Sequence, residues 1–269
     1  MSFCVLLSVY KNENPIFFSQ ALASIWDEQY LKPSQIVLVK DGPLTDDLEK
    51  VIDVWDGKIG NRLTVLSLQD NVGLGEALNA GLSVCRYELV ARMDTDDIAL
   101  PHRFSSQVSF MEKYPEISAS SSAIEEWDEN MERLLDTRSL PIGGKSLRSF
   151  SKLRSPLNHP ATIFRKSDVL AVGGYPSLRK AQDYALWSLM IKKNYTLANL
   201  PDVLLKMRAG YGLLSRRGWG YFQHELTLLR YQRDIGFINY CQYVRGLFIR
   251  GGGRLSPSFV KEIAYKYFR

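Results

Sequence analysis

The sequence predicts an α/β protein: a mostly parallel, Rossmann-like sheet covered by helices on both faces, followed by a basic helical extension. Three observations lead there. Short apolar runs of strand length recur at Phe3 to Val9, Ile36 to Val39, Leu63 to Leu68 and Tyr87 to Ala91, with helical patterns between them. Most of these runs are nearly continuous in apolar residues, as strands buried on both faces are. Charge is also unevenly placed. The chain carries a net +5, yet from Lys206 onward 12 Lys/Arg stand against 3 Asp/Glu.

Each element has a local reason. After the first strand, Tyr10-Lys11-Asn12-Glu13-Asn14 is polar, and Pro15 opens a helix where its missing N–H costs nothing. Lys40-Asp41-Gly42-Pro43 ends the second strand, and Leu44 to Trp55 reads as a helix. Asn71-Val72-Gly73-Leu74-Gly75 leads from the third strand into a helix through Ala77, Leu78 and Leu82. Phe104, Val108 and Met111 mark the helix after Pro101. Strands are expected at Ala119 to Trp127 and Leu134 to Arg138, and a basic helix at Lys145 to Lys152. A loop at Asn158-His159-Pro160 enters another strand, and Gly173-Gly174-Tyr175-Pro176 is a tight turn. Gln182 opens a helix with Tyr184, Trp187, Met190 and Ile191 on one face, and Val203 to Met207 closes the body.

At 269 residues and 45% hydrophobic, the chain has ordinary globular composition, enough for one large domain plus an appendage. Cys4, Cys85 and Cys241 lie far apart in sequence, lack metal-ligand spacing and suggest a reducing compartment. Phe3 to Val9 reads as a strand rather than a signal peptide, since no basic segment precedes it. No run of 18 apolar residues predicts a spanning helix.

In a parallel sheet, ligands bind beyond the carboxyl ends of the strands. That rule gathers Ser8 to Asn12, Asp41-Gly42, Asn71-Val72-Gly73 and Asp94 to Asp97 on one rim. The last of these follows Arg92 and places three carboxylates within four residues. Such spacing either ends a strand in a solvated acidic turn or holds a divalent cation, which takes oxygen ligands.

The order of these features resembles family 2 glycosyltransferases with the GT-A fold, over about the first 208 residues. The matching pieces are Ser8-Val9-Tyr10-Lys11-Asn12-Glu13, Asp41-Gly42, Asn71-Val72-Gly73 with Ala77 and Asn79, and the D-x-D motif Asp94-Thr95-Asp96 with Asp97 adjoining. Gly173-Gly174-Tyr175 and Gln182-Asp183-Tyr184-Ala185-Leu186-Trp187 complete the set. The chain looks closest to bacterial transferases of O-antigen and exopolysaccharide synthesis, the galactosyltransferases among them.

The resemblance implies roles. Residues 1–208 would form the transferase domain, with a nucleotide-binding half to 100 and an acceptor half beyond, and 209–269 the basic helical extension. Asp94, Asp96 and Asp97 would hold Mn²⁺ or Mg²⁺ and offset charge on a departing diphosphate. Ser8, Tyr10, Asp41, Asn71, Gly73, Arg92 and Asp94 would bind the nucleotide, and Gln182, His159 and Gly174 the acceptor or diphosphate. Asp183 would be the catalytic base. The family usually shows Glu-Asp where this chain has Gln182-Asp183, and the neutral neighbour should leave the Asp183 pKa lower than in a paired carboxylate. Donor and acceptor would be a UDP-hexose, with galactose the best guess and β linkage the expected product, and a lipid-diphosphate-linked sugar. UDP-glucose and UDP-N-acetylhexosamines are the alternative donors.

Each residue also has a plainer reading. Asp183 is a common residue at a helix start, Asp41-Gly42-Pro43 and Gly173-Gly174 make ordinary turns, and His159 fits a surface loop as well as an acceptor site. His102 reads as a helix N-terminal residue and His224 as a helix-face residue. In the extension, Trp219, Phe222, Leu226 and Leu229 recur at helical spacing, as do Tyr240, Val244, Leu247 and Phe248. These stripes either pack on the body or, with the excess positive charge, meet an anionic membrane at the cytoplasmic face. Gly251-Gly252-Gly253 is expected to break the second of these helices, and a last one carries Val260, Ile263 and Tyr267. Arg216 and Arg217 follow a glycine-containing loop and could close over the diphosphate. A nucleotidyltransferase would need glycines after the first strand, and Tyr10 to Asn14 has none. A silent nucleotide- or carbohydrate-binding module has no use for both Asp96 and Asp183. No nucleic-acid motif accompanies the basic extension.

Overall fold

The computed structural model describes residues 2–209 and 219–255. Its first half is an alternating series: β1 (Phe3–Val9), α1 (Pro15–Trp26), β2 (Gln35–Lys40), α2 (Asp46–Ile59), β3 (Leu63–Ser67), α3 (Leu74–Val84) and β4 (Leu89–Arg92). These strands lie in the order β3-β2-β1-β4 and pair in parallel throughout. β5 (Ile98–Ala99), α4 (Arg103–Lys113), β6 (Ile117–Trp127), β7 (Leu134–Arg138), α5 (Gly144–Phe150), β8 (Ile163–Arg165), α6 (Lys166–Ala171), α7 (Gln182–Lys192) and β9 (Thr196–Arg208) follow. They extend the same sheet: β8 runs antiparallel to β4, β6 antiparallel to β8, β9 parallel to β6, and β5 antiparallel to β9, with β7 hairpinned on β6. This is the α/β sheet flanked by helices that the apolar runs predict.

β1 lies inside the parallel half of the sheet, between β2 and β4, and both its faces are apolar. Phe3, Val5, Leu7 and Val9 face a core formed with α1, α2 and α4, while Cys4 and Leu6 face a second core with α3 and α7. α3 approaches β1 and β2 closely through Gly81. A Cβ there would come within 2.4 Å of Leu6 Cδ1 and 2.8 Å of Val39 Cγ2. The same core brings two sequence-distant thiols together, with Cys4 Sγ 3.3 Å from Cys85 Sγ. Both are free, and burial raises the Cys4 pKa well above its usual value.

Pro15 starts α1 as expected, and the Asn14 side chain caps it by accepting from Ile16 N at 2.9 Å and Phe17 N at 3.3 Å. α2 sits later than Leu44 to Trp55, because Asp46, Asp47 and Glu49 suit the positive end of a helix and Gly60, at φ +63°, terminates it. The final strand begins seven residues before Val203, since β6 offers a long parallel edge through two register shifts.

Two helices follow, α8 (Trp219–Asp234) and α9 (Tyr240–Leu255). α8 packs on the body through Leu228, Leu229 and Gln232, whose Nε2 donates to Ser188 Oγ at 2.8 Å. α9 turns Tyr243, Gly246 and Leu247 inward, but Tyr240 is 71% exposed and Phe248 76%. That stripe does not pack as one face. α9 also runs through Gly251-Gly252-Gly253 rather than breaking there. Glycine weakens a helix by about 1 kcal/mol per residue without forbidding the backbone conformation. Among the described residues no helix is long and apolar enough to cross a membrane. Arg216, Arg217 and the last predicted helix lie outside the described residues.

Candidate functional site

Parallel pairing of β1 to β4 puts their carboxyl ends on one rim, and four loops meet there. Ser8 lies at the end of β1 beside Val39, and Tyr10 follows it on the surface. At the end of β2, Asp41 is 5% exposed and its carboxylate organises the loop after β3. Oδ1 accepts from Val72 N at 2.7 Å, and Oδ2 accepts from Gly73 N at 3.1 Å and Asn71 Nδ2 at 3.0 Å. A carboxylate has about four acceptor sites, so about one remains open for a ligand. Asn71 and Gly73 thus hold Asp41 as much as they line the rim. The approach is close: a Cβ on Gly42, at φ +84°, would lie 2.8 Å from Asn71 N.

β4 delivers the acidic loop. Carboxylate oxygens of Asp94, Asp96 and Asp97 lie within 4.8 Å of one another. Burial, followed by the charges of Asp94 and Asp96, pushes Asp97 well above the usual carboxylate range. Burial and Asp94 push Asp96 up to about 6. Glu13, after β1, faces the same group; burial and then Asp96 and Asp94 raise it to about 7, with a hydrogen bond to Thr95 pulling the other way. Asp97 Oδ1 accepts from Arg208 N at 3.0 Å, whereas its buried Oδ2 has no partner among the described residues. Converging carboxylates and an orphaned buried acceptor suit a hard divalent cation.

Behind the loop stand two buried arginines. Arg92 Nη2 pairs with Asp94, while its Nε and Nη1 have no partner among the described residues. Arg103 donates to the Arg92 carbonyl at 2.5 Å and to Gln107 Oε1 at 3.1 Å. Burial and the neighbouring Arg92 lower Arg103 to about 9.

Asp183 opens α7 from the other half. Ala181, the residue before Gln182, takes the left-handed conformation at φ +59°, uncommon for alanine and a sign of a turn over-determined by its surroundings. Burial raises the Asp183 carboxyl; the Tyr184 N–H and the charge of Arg92 oppose this, and Asp94 adds to it. Gln182 contributes no charge, in keeping with its neutral side chain, so burial rather than pairing sets the direction. Asp183 lies close enough to the rim for Arg92 and Asp94 to act on it.

Other predicted contacts fall differently. His159 is not a surface histidine. It is buried, held in its neutral form by burial and Arg92, with Nε2 3.0 Å from the Tyr175 hydroxyl and its ring edge-on to Trp187. The turn Asn158-His159-Pro160 folds inward because Asn158 bonds β6, its Nδ2 donating to the Ser122 carbonyl at 2.8 Å. Gly174 is clamped rather than open. Asn79 Oδ1 accepts from Tyr175 N at 2.7 Å and Asn79 Nδ2 donates to the Tyr175 carbonyl at 2.9 Å, so a Cβ on Gly174 would meet Asn79 Oδ1 at 2.5 Å. Gln182 is buried, with Gly75 packed against its side chain. Glu13 and Arg208 were not singled out from sequence. Glu13 stands within the Ser8 to Glu13 motif, but its facing partners Asp94, Thr95 and Asp96 are more than 80 residues away in sequence; Arg208 lies one residue past the expected strand.

The chain is similar to known proteins in sequence and in fold. The sequence model described as "Glycosyl transferase family 2" matches residues 5–171. The amylovoran biosynthesis glycosyltransferase AmsE of Erwinia amylovora is 40% identical, over 98% of both chains. The UDP-Gal:alpha-D-GlcNAc-diphosphoundecaprenol beta-1,3-galactosyltransferase of Escherichia coli is 33% identical, over 98% of this chain and 95% of that one. The crystal structure of S. aureus TarS 1-349 in complex with UDP-GlcNAc superposes with a TM-score of 0.67 at 17% identity, covering 92% of this chain and 73% of that one, a likeness of fold.

The acidic loop makes the cation-free protein pH-sensitive. Asp96 and Glu13, raised to about 6 and about 7, and Asp97, raised well above its ordinary value, bind protons more tightly folded than unfolded, so their contribution to stability is full below about pH 4 and is lost as pH rises through the raised values. Asp97→Asn keeps an acceptor for Arg208 N and removes the buried charge. In chelator at pH 7.5 it should unfold at higher urea than wild type, by about 1 kcal/mol or more, with the gap closing toward pH 4. A gap that widens toward pH 4 would contradict the assignment.

Proposed function

The chain belongs to glycosyl transferase family 2, and from that premise we propose that it is an inverting, metal-dependent hexosyltransferase of bacterial surface-polysaccharide synthesis. The donor is UDP-galactose and the acceptor a lipid-diphosphate-linked sugar. The observation that carries the reading is the convergence of Asp94, Asp96 and Asp97 on one rim, with Asp183 near enough for the charge of Asp94 to reach it. The galactosyl and lipid-diphosphate assignments are supported by the activity that the Escherichia coli relative is named for. Polysaccharide synthesis is supported by the Erwinia relative.

The chemistry follows from the residues. Asp94, Asp96 and Asp97 would hold Mn²⁺ or Mg²⁺, which would supply Lewis-acid stabilisation to the leaving diphosphate. Ser8, Tyr10, Asn71 and Gly73 line the nucleotide end of the rim, and the open acceptor of Asp41 takes a base N–H. Asp183 receives the proton of the acceptor hydroxyl as that oxygen attacks the anomeric carbon from the face opposite the diphosphate. Inversion of an α-linked donor gives the β product. Burial raises the Asp183 pKa, which strengthens its carboxylate as a base. Arg92 anchors Asp94 and keeps positive charge beside the departing anion. His159 supports Tyr175 under the acceptor side rather than touching substrate.

Residues 1–208 act as the transferase domain and the remainder as a membrane-docking extension at the cytoplasmic face. α9 exposes Tyr240, Phe248 and Ile249 beside Arg245, an apolar stripe with basic flanks that suits an anionic bilayer.

A donor panel of UDP-galactose, UDP-glucose, UDP-N-acetylhexosamines and a GDP-sugar, with Mn²⁺ and a lipid-diphosphate acceptor, should give transfer from UDP-galactose. Chelator should abolish transfer, and Asp183→Asn should lower turnover by about 10²- to 10⁴-fold with the fold intact. Full turnover in Asp183→Asn, or in chelator, overturns the base or the cation. The protein should float with anionic liposomes at low salt and lose this with Phe248→Ser plus Ile249→Ser; unchanged flotation of that variant removes α9 as the docking face.

A further inference from the structure

Arg208, the last residue of β9, joins four parts of the fold. Its N–H donates to Asp97 Oδ1 at 3.0 Å, and its Nε donates to the Asp96 carbonyl at 2.7 Å. Nη1 donates to the Glu129 carbonyl beyond β6, and Nη2 to Gln20 Oε1 on α1. The guanidinium stands 3.9 Å over the Phe17 ring. Each nitrogen of the fork has a partner, and these contacts reach the acidic loop through its backbone rather than through the Asp96 carboxylate. Main chain and side chain together therefore fix where Asp96 and Asp97 point.

We propose that Arg208 is a positioning residue for the cation site, tying the acidic loop to α1 and to the β6–β7 hairpin. The inference rests on the reading of Asp94, Asp96 and Asp97 as cation ligands. Groups that orient ligands without touching the ion commonly change its affinity 10- to 100-fold. A rigid planar fork reaches the Asp96 carbonyl, the Glu129 carbonyl and Gln20 together, whereas an ammonium at the same place is a point charge. The positive charge itself opposes cation binding. Truncation to alanine would therefore mix two opposed effects, while Arg208→Lys keeps the charge and removes the geometry.

The test is a Mn²⁺ titration followed by electron paramagnetic resonance, with melting temperatures measured in chelator. Wild type, Arg208→Lys, Gln20→Ala and Asp94→Asn plus Asp96→Asn are compared. Arg208→Lys should bind Mn²⁺ about tenfold more weakly. Gln20→Ala, at an exposed position, removes one arm of the latch and should weaken binding about threefold, the effect of one modest hydrogen bond. A purely structural role would lower the cation-free melting temperature and leave affinity alone. Wild-type affinity in both variants overturns the inference. Absence of Mn²⁺ binding by wild type, or binding unchanged in the double aspartate variant, overturns the cation reading and this inference with it.

Discussion

Like charge held in one place is the constraint on which the rest of the structure depends. Two carboxylates 4.8 Å apart repel by roughly 3–4 kcal/mol at the effective dielectric of a partly buried site. Asp94, Asp96 and Asp97 carry that repulsion among themselves, and Glu13 faces them across the rim. Arg92 pairs directly with Asp94, and together with Arg208 it offsets the other carboxylates only in part. Protonation or a divalent cation must supply the balance. The raised pKa values of Asp96, Asp97 and Glu13 are the cation-free response to burial first and to this field second.

The surrounding fold keeps the cluster from relaxing. Arg103 grips β4 from behind through the Arg92 carbonyl, and β5 is pinned to β9 just beyond Asp97. Asp41 and the loop it holds set the neighbouring wall of the rim, with Gly42 close against Asn71. Across the rim, Asn79 clamps the Gly174-Tyr175 turn to α3, and Gly75 packs on Gln182. The last of these contacts joins α3 to the helix that carries Asp183, and the Asn79 clamp holds the turn that precedes that helix. They explain why a carboxylate nearly ninety residues distant in sequence stands near the acidic loop.

The sheet was legible because its strands are apolar on both faces. Phe3 to Val9 and Ile36 to Val39 can be little else, and the parallel order that follows places Ser8, Asp41, Gly73 and Asp94 on one edge without reference to any relative. The aspartate motif was legible because three like charges in four residues ask for a reason. What was not legible depends on pairing at a distance. His159 looks like a loop histidine until Tyr175 and Trp187 enclose it. Asn79 and Gly174 look like a helix residue and a turn until their mutual clamp is seen. Tyr240 and Phe248 repeat at helical spacing, yet α9 turns its Tyr243 and Leu247 side inward, because Gly246 admits Leu229 of α8. Periodicity marks a helix face and does not say what covers it.

The central claim is that the acidic loop holds a divalent cation against the donor diphosphate, on the side of the site facing Asp183. A crystal structure with UDP and Mn²⁺, recorded near the manganese absorption edge, tests it most directly. The account predicts an anomalous peak bridging carboxylates of the Asp94 to Asp97 loop and the diphosphate, with UDP seated along Ser8, Asp41 and Gly73. UDP bound there with no manganese at the loop would contradict it.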